Sequence, residues 1–199
     1  TLDVNQAVQD LAISDDYIFV LTLDELYVVS LLDQVIVGST TAPGSVNSSH
    51  GRKRLFVADG IAYAVNNNGY MTFDLTNLNQ PTLITSQATP QRGWKQIVTN
   101  GTGVGVAATG DPESFLAPQT QQDISLFDVS DPSQNNQLIT TFATSGFARA
   151  VTLYNGLAYV ADDTNGLVVI NYTSFDSAGQ PPQISLTTNF IPGLAESQT

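Results

Sequence analysis

Six cations stand in this chain against eighteen acids and one histidine, and their positions carry more than their number. Arg52, Lys53, Arg54, Arg92, Lys95 and Arg149 all fall just ahead of hydrophobic, strand-like stretches. Asp24, Glu25, Asp111, Glu113, Asp162 and Asp163 occupy polar breaks within those stretches. Opposite charges converging in a cleft can hold a polar ligand, or displace one another's ionisation for acid–base work. Converging at a surface, they form ion pairs, each weak at about 0–1 kcal/mol. Two readings follow. In one, Arg92, Trp94 and Arg149 line a ligand site with Asp111, Phe115 and Asp163 close by. In the other, the same charges are salt bridges that hold neighbouring units in register. Trp94 divides in the same way: a packing residue between units, or a carbohydrate-stacking platform if its ring is exposed.

Other motifs offer less chemistry. His50 neighbours Ser48 and Ser49, but a hydrolytic triad needs a third partner or a G-x-S-x-G elbow, and neither is visible. Gly101-Thr102-Gly103-Val104-Gly105 precedes no helix and is therefore no phosphate loop. Asp162-Asp163-Thr164-Asn165-Gly166 is oxygen-rich like a calcium loop but lacks EF-hand spacing; turn chemistry accounts for it equally, so calcium stays open and no other cofactor is implied. Asp74, Asp128 and Asp131 follow apolar runs, where Asp commonly caps its own turn. The insertion Asp111–Gln122 carries two apolar residues, Phe115 and Leu116, in a polar loop. They either touch a partner or pin the loop to its own unit.

The elements that must position these residues repeat four times, with a period of about 43 residues. The fourth copy is the clearest, GLAYVADDTNGLVVINY at 156–172. Its strands are expected at Ala148–Tyr154, Leu157–Ala161, Leu167–Tyr172 and Gln183–Thr188, with Asn155-Gly156 as a two-residue hairpin turn. The first unit places strands at Val8–Ile13, Tyr17–Leu21, Leu26–Leu31 and Val35–Ser39. The second places them at Arg54–Ala58, Ile61–Val65, Tyr70–Leu75 and Thr82–Ser86. The third places them at Trp94–Val98, Val104–Ala108, Ile124–Val129 and Gln137–Phe142. Apolar runs such as Leu167–Ile170 read as strands buried on both faces, as in stacked blades. The fold class is all-β: a β-propeller of four-stranded antiparallel blades at about 6–43, 52–88, 92–143 and 147–190, with 191–199 a tail or linker. Four repeats make either a small ring or part of a larger one whose other blades, or further domains, lie elsewhere. In such a ring the connections into each first strand and the turns between second and third strands share one mouth of the central channel. Both charge signs are therefore expected there.

Composition narrows the partners. A net charge of -12 argues against nucleic acid, which needs clustered Lys and Arg, and against an anionic membrane surface. No apolar run reaches about 18 residues, so no membrane insertion is expected. The absence of cysteine excludes disulfides, zinc–thiolate sites and thiol nucleophiles.

The fourth unit resembles the LVIVD repeat, a β-propeller repeat of bacterial and archaeal surface proteins. Tyr159-Val160-Ala161-Asp162 and Gly166-Leu167 carry the resemblance, and Phe127-Asp128-Val129-Ser130-Asp131-Pro132 carries it in the third unit. The second unit keeps Gly69 and Asp74. The first departs most, with Asp24-Glu25 in place of the Gly turn. A weaker similarity is to the YVTN repeats of surface-layer propellers. The resemblance implies an extracellular or cell-envelope setting and no catalytic motif. The expected function is a noncatalytic binding or scaffolding propeller of a larger exported protein, presenting one channel mouth to a protein or polysaccharide. The alternative is a hydrolase or lyase using Arg and carboxylate groups at that mouth.

Overall fold

The computed structural model describes residues 2–45, 53–89, 91–110 and 123–179. Those residues form four antiparallel sheets of neighbouring strands. Blade 1 holds β1 (Val8–Ser14), β2 (Tyr17–Thr22), β3 (Glu25–Ser30) and β4 (Ile36–Thr41). Blade 2 holds β5 (Leu55–Ala58), β6 (Ile61–Asn66), β7 (Gly69–Asp74) and β8 (Thr82–Thr85). Blade 3 holds β9 (Gln96–Thr99), β10 (Val104–Ala108), β11 (Asp123–Asp128) and β12 (Leu138–Ala143). Blade 4 holds β13 (Ala150–Tyr154), β14 (Leu157–Ala161) and β15 (Leu167–Asn171). Single 3-10 turns at Asp163–Asn165 and Thr173–Phe175 are the helical elements among the described residues. The fourth-blade strand expected at Gln183–Thr188, the insertion at 111–122, His50 and Arg52 lie outside the described residues.

Local chemistry sets the meander. Asn155-Gly156 closes the β13–β14 hairpin with φ of 51° and 74°, and Asp59-Gly60 closes β5–β6 with the same pair of values. Positive φ at both positions matches the twist of the flanking strands, and glycine meets it without strain. Blades 1, 2 and 3 each shift register at one place in the third-to-fourth strand ladder: Val28/Val29, Thr72/Phe73 and Leu126/Phe127. Such bulges increase local twist, here toward the outer edge of each blade. The bulge also explains why β4 starts at Ile36: Val35 leaves the ladder and its carbonyl accepts from Ser30 N–H at 3.0 Å. β9 starts at Gln96, two residues later than expected at Trp94, because Trp94 turns into the seam between blades.

The sheets stand in a ring as a four-bladed β-propeller, with the first strands innermost: β1 meets β5, β5 meets β9 and β9 meets β13. Three apolar clusters fill three seams. Phe19, Leu21 and Val28 of blade 1 pack on Ala64, Met71 and Phe73 of blade 2. Tyr63, Val65 and Tyr70 of blade 2 meet Trp94, Ile97 and Phe127 of blade 3. Val106, Ile124 and Leu126 of blade 3 meet Val151, Val160 and Ile170 of blade 4. The inner blades therefore bury both faces of their middle strands, with β6, β7 and β10 buried almost throughout. Blade 4 does not follow. Val168 and Ile170 face the core, but Leu167 and Val169 are 67% and 50% exposed. The reading of Leu167–Ile170 as buried on both faces is thus corrected: among the described residues no apolar cluster joins blade 4 to blade 1.

Candidate functional site

One mouth of the ring gathers the connections that enter each first strand and the turns between second and third strands. Backbone bonds knit them together: Ala42 N–H donates to Asp24 O at 2.6 Å, Gly110 N–H to Arg92 O at 2.8 Å and Arg149 N–H to Ala161 O at 2.8 Å. The cations of the described chain lie at this end, and each has a distinct surrounding.

Arg149 and Asp163 come together as an ion pair, with Nη2 to Oδ2 at 2.9 Å and both side chains exposed. The Arg149 guanidinium also lies over the Phe147 ring, 5.6 Å from its centroid, a stacking that Arg favours over Lys. Lys95 Nζ donates to the carbonyls of Gly93 at 3.1 Å and Gly110 at 2.5 Å. It ties the entry to blade 3 to that blade's own turn. Arg92 is exposed. Trp94 is not: its ring is 6% exposed, lies 5.5 Å from Tyr70 and 5.2 Å from Phe127, and its indole N–H donates to Gln91 O at 3.1 Å. An edge-on Tyr70–Phe127 contact at 5.7 Å completes this aromatic cluster. The exposed ring that carbohydrate stacking requires is therefore not what Trp94 presents. Asp111 and Phe115 lie outside the described residues.

Lys53 stands apart from the other described cations. It is fully buried, and its ammonium donates to the carbonyls of Leu23 and of Ala42, the latter at 2.6 Å. Burial pushes its pKa down, and the nearby Asp24 opposes that shift. Two carbonyls can satisfy an ammonium without a carboxylate partner. Arg54 behaves as expected of a surface cation, 3.9 Å from Asp10 across the first seam.

The oxygen-rich turn of blade 4 is divided between two roles. Asp162 is buried, and its Oδ2 accepts from Gly146 N–H at 2.9 Å and Asn165 Nδ2 at 3.3 Å. Asp163 points outward to Arg149. Among the described residues no group of three or more His, Cys, Asp or Glu comes together as a metal cluster.

The opposite mouth has another character. Asp15, Asp16, Asp59, Asp74, Asp128 and Asp131 stand there at turns and strand ends. Asp74 Oδ1 accepts from Thr76 N–H at 2.8 Å, Asp128 Oδ1 from Ser130 N–H at 2.9 Å and Asp131 Oδ1 from Ser133 N–H at 2.9 Å. Hydrogen bonds from those hydroxyl residues, side chain first and backbone second, hold the three carboxyls below the usual range. These are turn caps, as the sequence reading has them.

Some seam contacts have no signal in the sequence. Asp10 Oδ2 accepts from Leu55 N–H at 2.9 Å, and Gln96 Oε1 from Val151 N–H at 3.0 Å. Each joins a first strand to the next blade's first strand. A second device recurs further out, where the segment that follows the third strand reaches back onto the preceding blade. Asn135 Nδ2 donates to Tyr70 O at 2.6 Å and Gln87 O at 2.7 Å. Asp176 Oδ2 accepts from Asn100 Nδ2 and Thr102 Oγ1, both at 2.6 Å. In blade 2 the connection itself packs down, and a Cβ at Gly38 of blade 1 would overlap the Leu78 carbonyl oxygen.

Fold and mouth together define a four-bladed β-propeller. Residues 145–171, within the fourth blade, match the LVIVD repeat, the stretch where the sequence resemblance is closest. No curated protein matches the chain. Among solved structures, the computationally designed Ika4 protein is 12% identical, with 85% of this chain and 93% of that one covered and a TM-score of 0.57. The β-propeller domain of Cps50 (Swd1) from Myceliophteria thermophila is 12% identical, with 83% and 54% covered and a TM-score of 0.63. Kluyveromyces lactis Hsv2 is 14% identical, with 80% and 43% covered and a TM-score of 0.51. The chain thus spans about half the length of the latter two. At these identities the likeness establishes the fold.

Proposed function

We propose that this propeller is a noncatalytic binding or scaffolding module of a larger exported or cell-envelope protein, and that it engages a protein or polysaccharide through its cation-bearing mouth. The observation that carries the reading is the contrast between the two mouths. The described cations gather at one end, with Arg92 exposed and Arg149 stacked on Phe147 beside Asp163. At the other end three of the acids, Asp74, Asp128 and Asp131, are already used as turn caps. Exposed Arg beside an aromatic ring is a common binding anchor, and loops at one end of a rigid scaffold commonly carry recognition. No helix of the described chain is long and apolar enough to cross a membrane. The exported setting is supported by the acidic, Lys-poor composition and by the LVIVD resemblance.

The test compares the two mouths. Wild type, Arg92→Ala/Arg149→Ala and Asp74→Asn/Asp128→Asn are applied to a glycan array and to an array of secreted and envelope proteins. Signal lost only in the arginine variant supports the reading. Equal signal in all three overturns it, and so does turnover of an arrayed substrate.

A further inference from the structure

We propose that the turn between the second and third strands of blade 4 binds one hard cation, calcium or sodium, at the buried carboxylate of Asp162. The side chain is fully buried. Its Oδ2 accepts from Gly146 N–H at 2.9 Å and from Asn165 Nδ2 at 3.3 Å, while Oδ1 is buried with no hydrogen-bond donor. A carboxylate taken out of water ordinarily has a positive partner, or donors on both oxygens. Here both donors are neutral amides on one oxygen, and the nearby Arg149 is given to Asp163 at the surface. A Cβ at Gly146 would overlap the Asp162 carbonyl oxygen, so the segment entering blade 4 lies flush on this turn.

Blade 3 shows what the fold puts at the corresponding place. Lys95 N–H donates to Ala108 O as Arg149 N–H donates to Ala161 O, and Gln96 pairs with Ala108 as Ala150 pairs with Ala161. Thr109 is thus the counterpart of Asp162, both buried, and Lys95 the counterpart of Arg149. The Lys95 ammonium lies among three carbonyls: Gly93 at 3.1 Å, Thr109 at 3.4 Å and Gly110 at 2.5 Å. Lys53 of blade 2 gives its ammonium to the Leu23 and Ala42 carbonyls at the same mouth. Two blades therefore bring a positive charge to backbone oxygens here. Blade 4 turns its cation outward, to Asp163 and over the Phe147 ring, and puts a carboxylate where blade 3 has a threonine. The counterparts of the three carbonyl residues are Phe147, Asp162 and Asp163. Carbonyl and carboxylate oxygens are the donor set of hard ions. Magnesium, which dehydrates reluctantly and demands octahedral geometry, suits such a set less well than calcium. The site has one buried carboxylate and no cluster of three acids, which places calcium at the weak end of its range, about 0.1–1 mM.

The experiment is thermal unfolding of the 199-residue chain, followed by Trp94 emission, after treatment with EDTA and dialysis into choline chloride. Calcium, magnesium or sodium chloride then replaces part of the choline at constant ionic strength. With about 10 mM calcium, a rise in Tm of about 3–10 °C is expected for a site of that affinity. A rise with sodium and none further with calcium assigns sodium. Asp162→Asn is expected to abolish the rise. Asp163→Asn, which removes the same charge from the same turn, is expected to keep it. Asp162→Thr/Arg149→Lys copies blade 3, brings its own ammonium and should be indifferent to either ion. Calorimetric titration of wild type with calcium chloride, expected to give one site per chain, decides the matter should Asp162→Asn fail to fold. A wild type that responds to neither calcium nor sodium overturns the proposal and leaves Oδ1 to a buried water. A rise matched by magnesium, or equal in wild type and Asp162→Asn, overturns it as general screening of a chain of net charge -12.

Discussion

Replacing Lys53 by alanine strips the Leu23 and Ala42 carbonyls of a charged donor inside the first seam. A loss of about 1.5–3 kcal/mol is expected, read from urea midpoints. Arg54→Ala, one residue on, breaks an exposed 3.9 Å pair and should cost under about 1 kcal/mol. The two cations are indistinguishable in the sequence. What separates them is the position of two backbone carbonyls in the preceding blade, which no local pattern encodes. Trp94 was easier to place, since a lone Trp before an apolar strand is usually a packing residue. Trp94→Ala should cost about 3–5 kcal/mol, because it empties the aromatic cluster with Tyr70 and Phe127. Asp74, Asp128 and Asp131 give the fold an acid dependence. Their folded pKa values are depressed, so their contribution is complete above the ordinary carboxylate value of about 3.9. It is lost as pH falls through the lower, folded value. Unfolding free energies should be level between pH 7 and 5 as far as these groups are concerned and fall below about pH 4, and Asp128→Asn should flatten the decline.

At the scale of the element, the hairpins were legible because their turns are chemical signals. Asn155-Gly156 announces positive φ at two successive residues, and the strands on either side then follow by alternation. Gly156→Ala places a Cβ at φ 74° and should cost about 1 kcal/mol. The connections that reach back between blades were not legible. Asn135 and Asp176 sit in polar stretches that read as loop, and their partners are distant in sequence. Asn135→Ala leaves the Tyr70 and Gln87 carbonyls without a donor within a buried seam. It should cost about 1–3 kcal/mol, measured by thermal or urea unfolding. The bulges between third and fourth strands escaped the sequence reading for a related reason: Val28-Val29 and Leu126-Phe127 look like uninterrupted strand.

At the scale of the molecule, the repeat disclosed four blades, but whether each face is covered depends on a neighbour that alternation cannot see. Leu167-Val168-Val169-Ile170 reads the same beside a blade or beside water. The structure distinguishes them, with Val168 and Ile170 in the third seam and Leu167 and Val169 outside it. Hydrogen exchange should show this unevenness. Amides of β6, β7 and β10, covered on both sides, are expected to exchange slowest, and those of β13 and β15 sooner. Uniform protection across the four sheets would contradict the burial pattern.

The backward reach of each blade also bears on how the chain is made. Synthesis delivers blade 1 first, and domains and repeats can begin to fold while later residues are still in the ribosome. Leu78, Asn135 and Asp176 each meet a surface that has already left the exit tunnel. A newborn blade therefore finds its template waiting, and assembly can proceed one blade at a time in the order of translation. The same order dictates that a defect in an early blade is inherited by those that follow, whereas one in blade 4 leaves the first two seams to form.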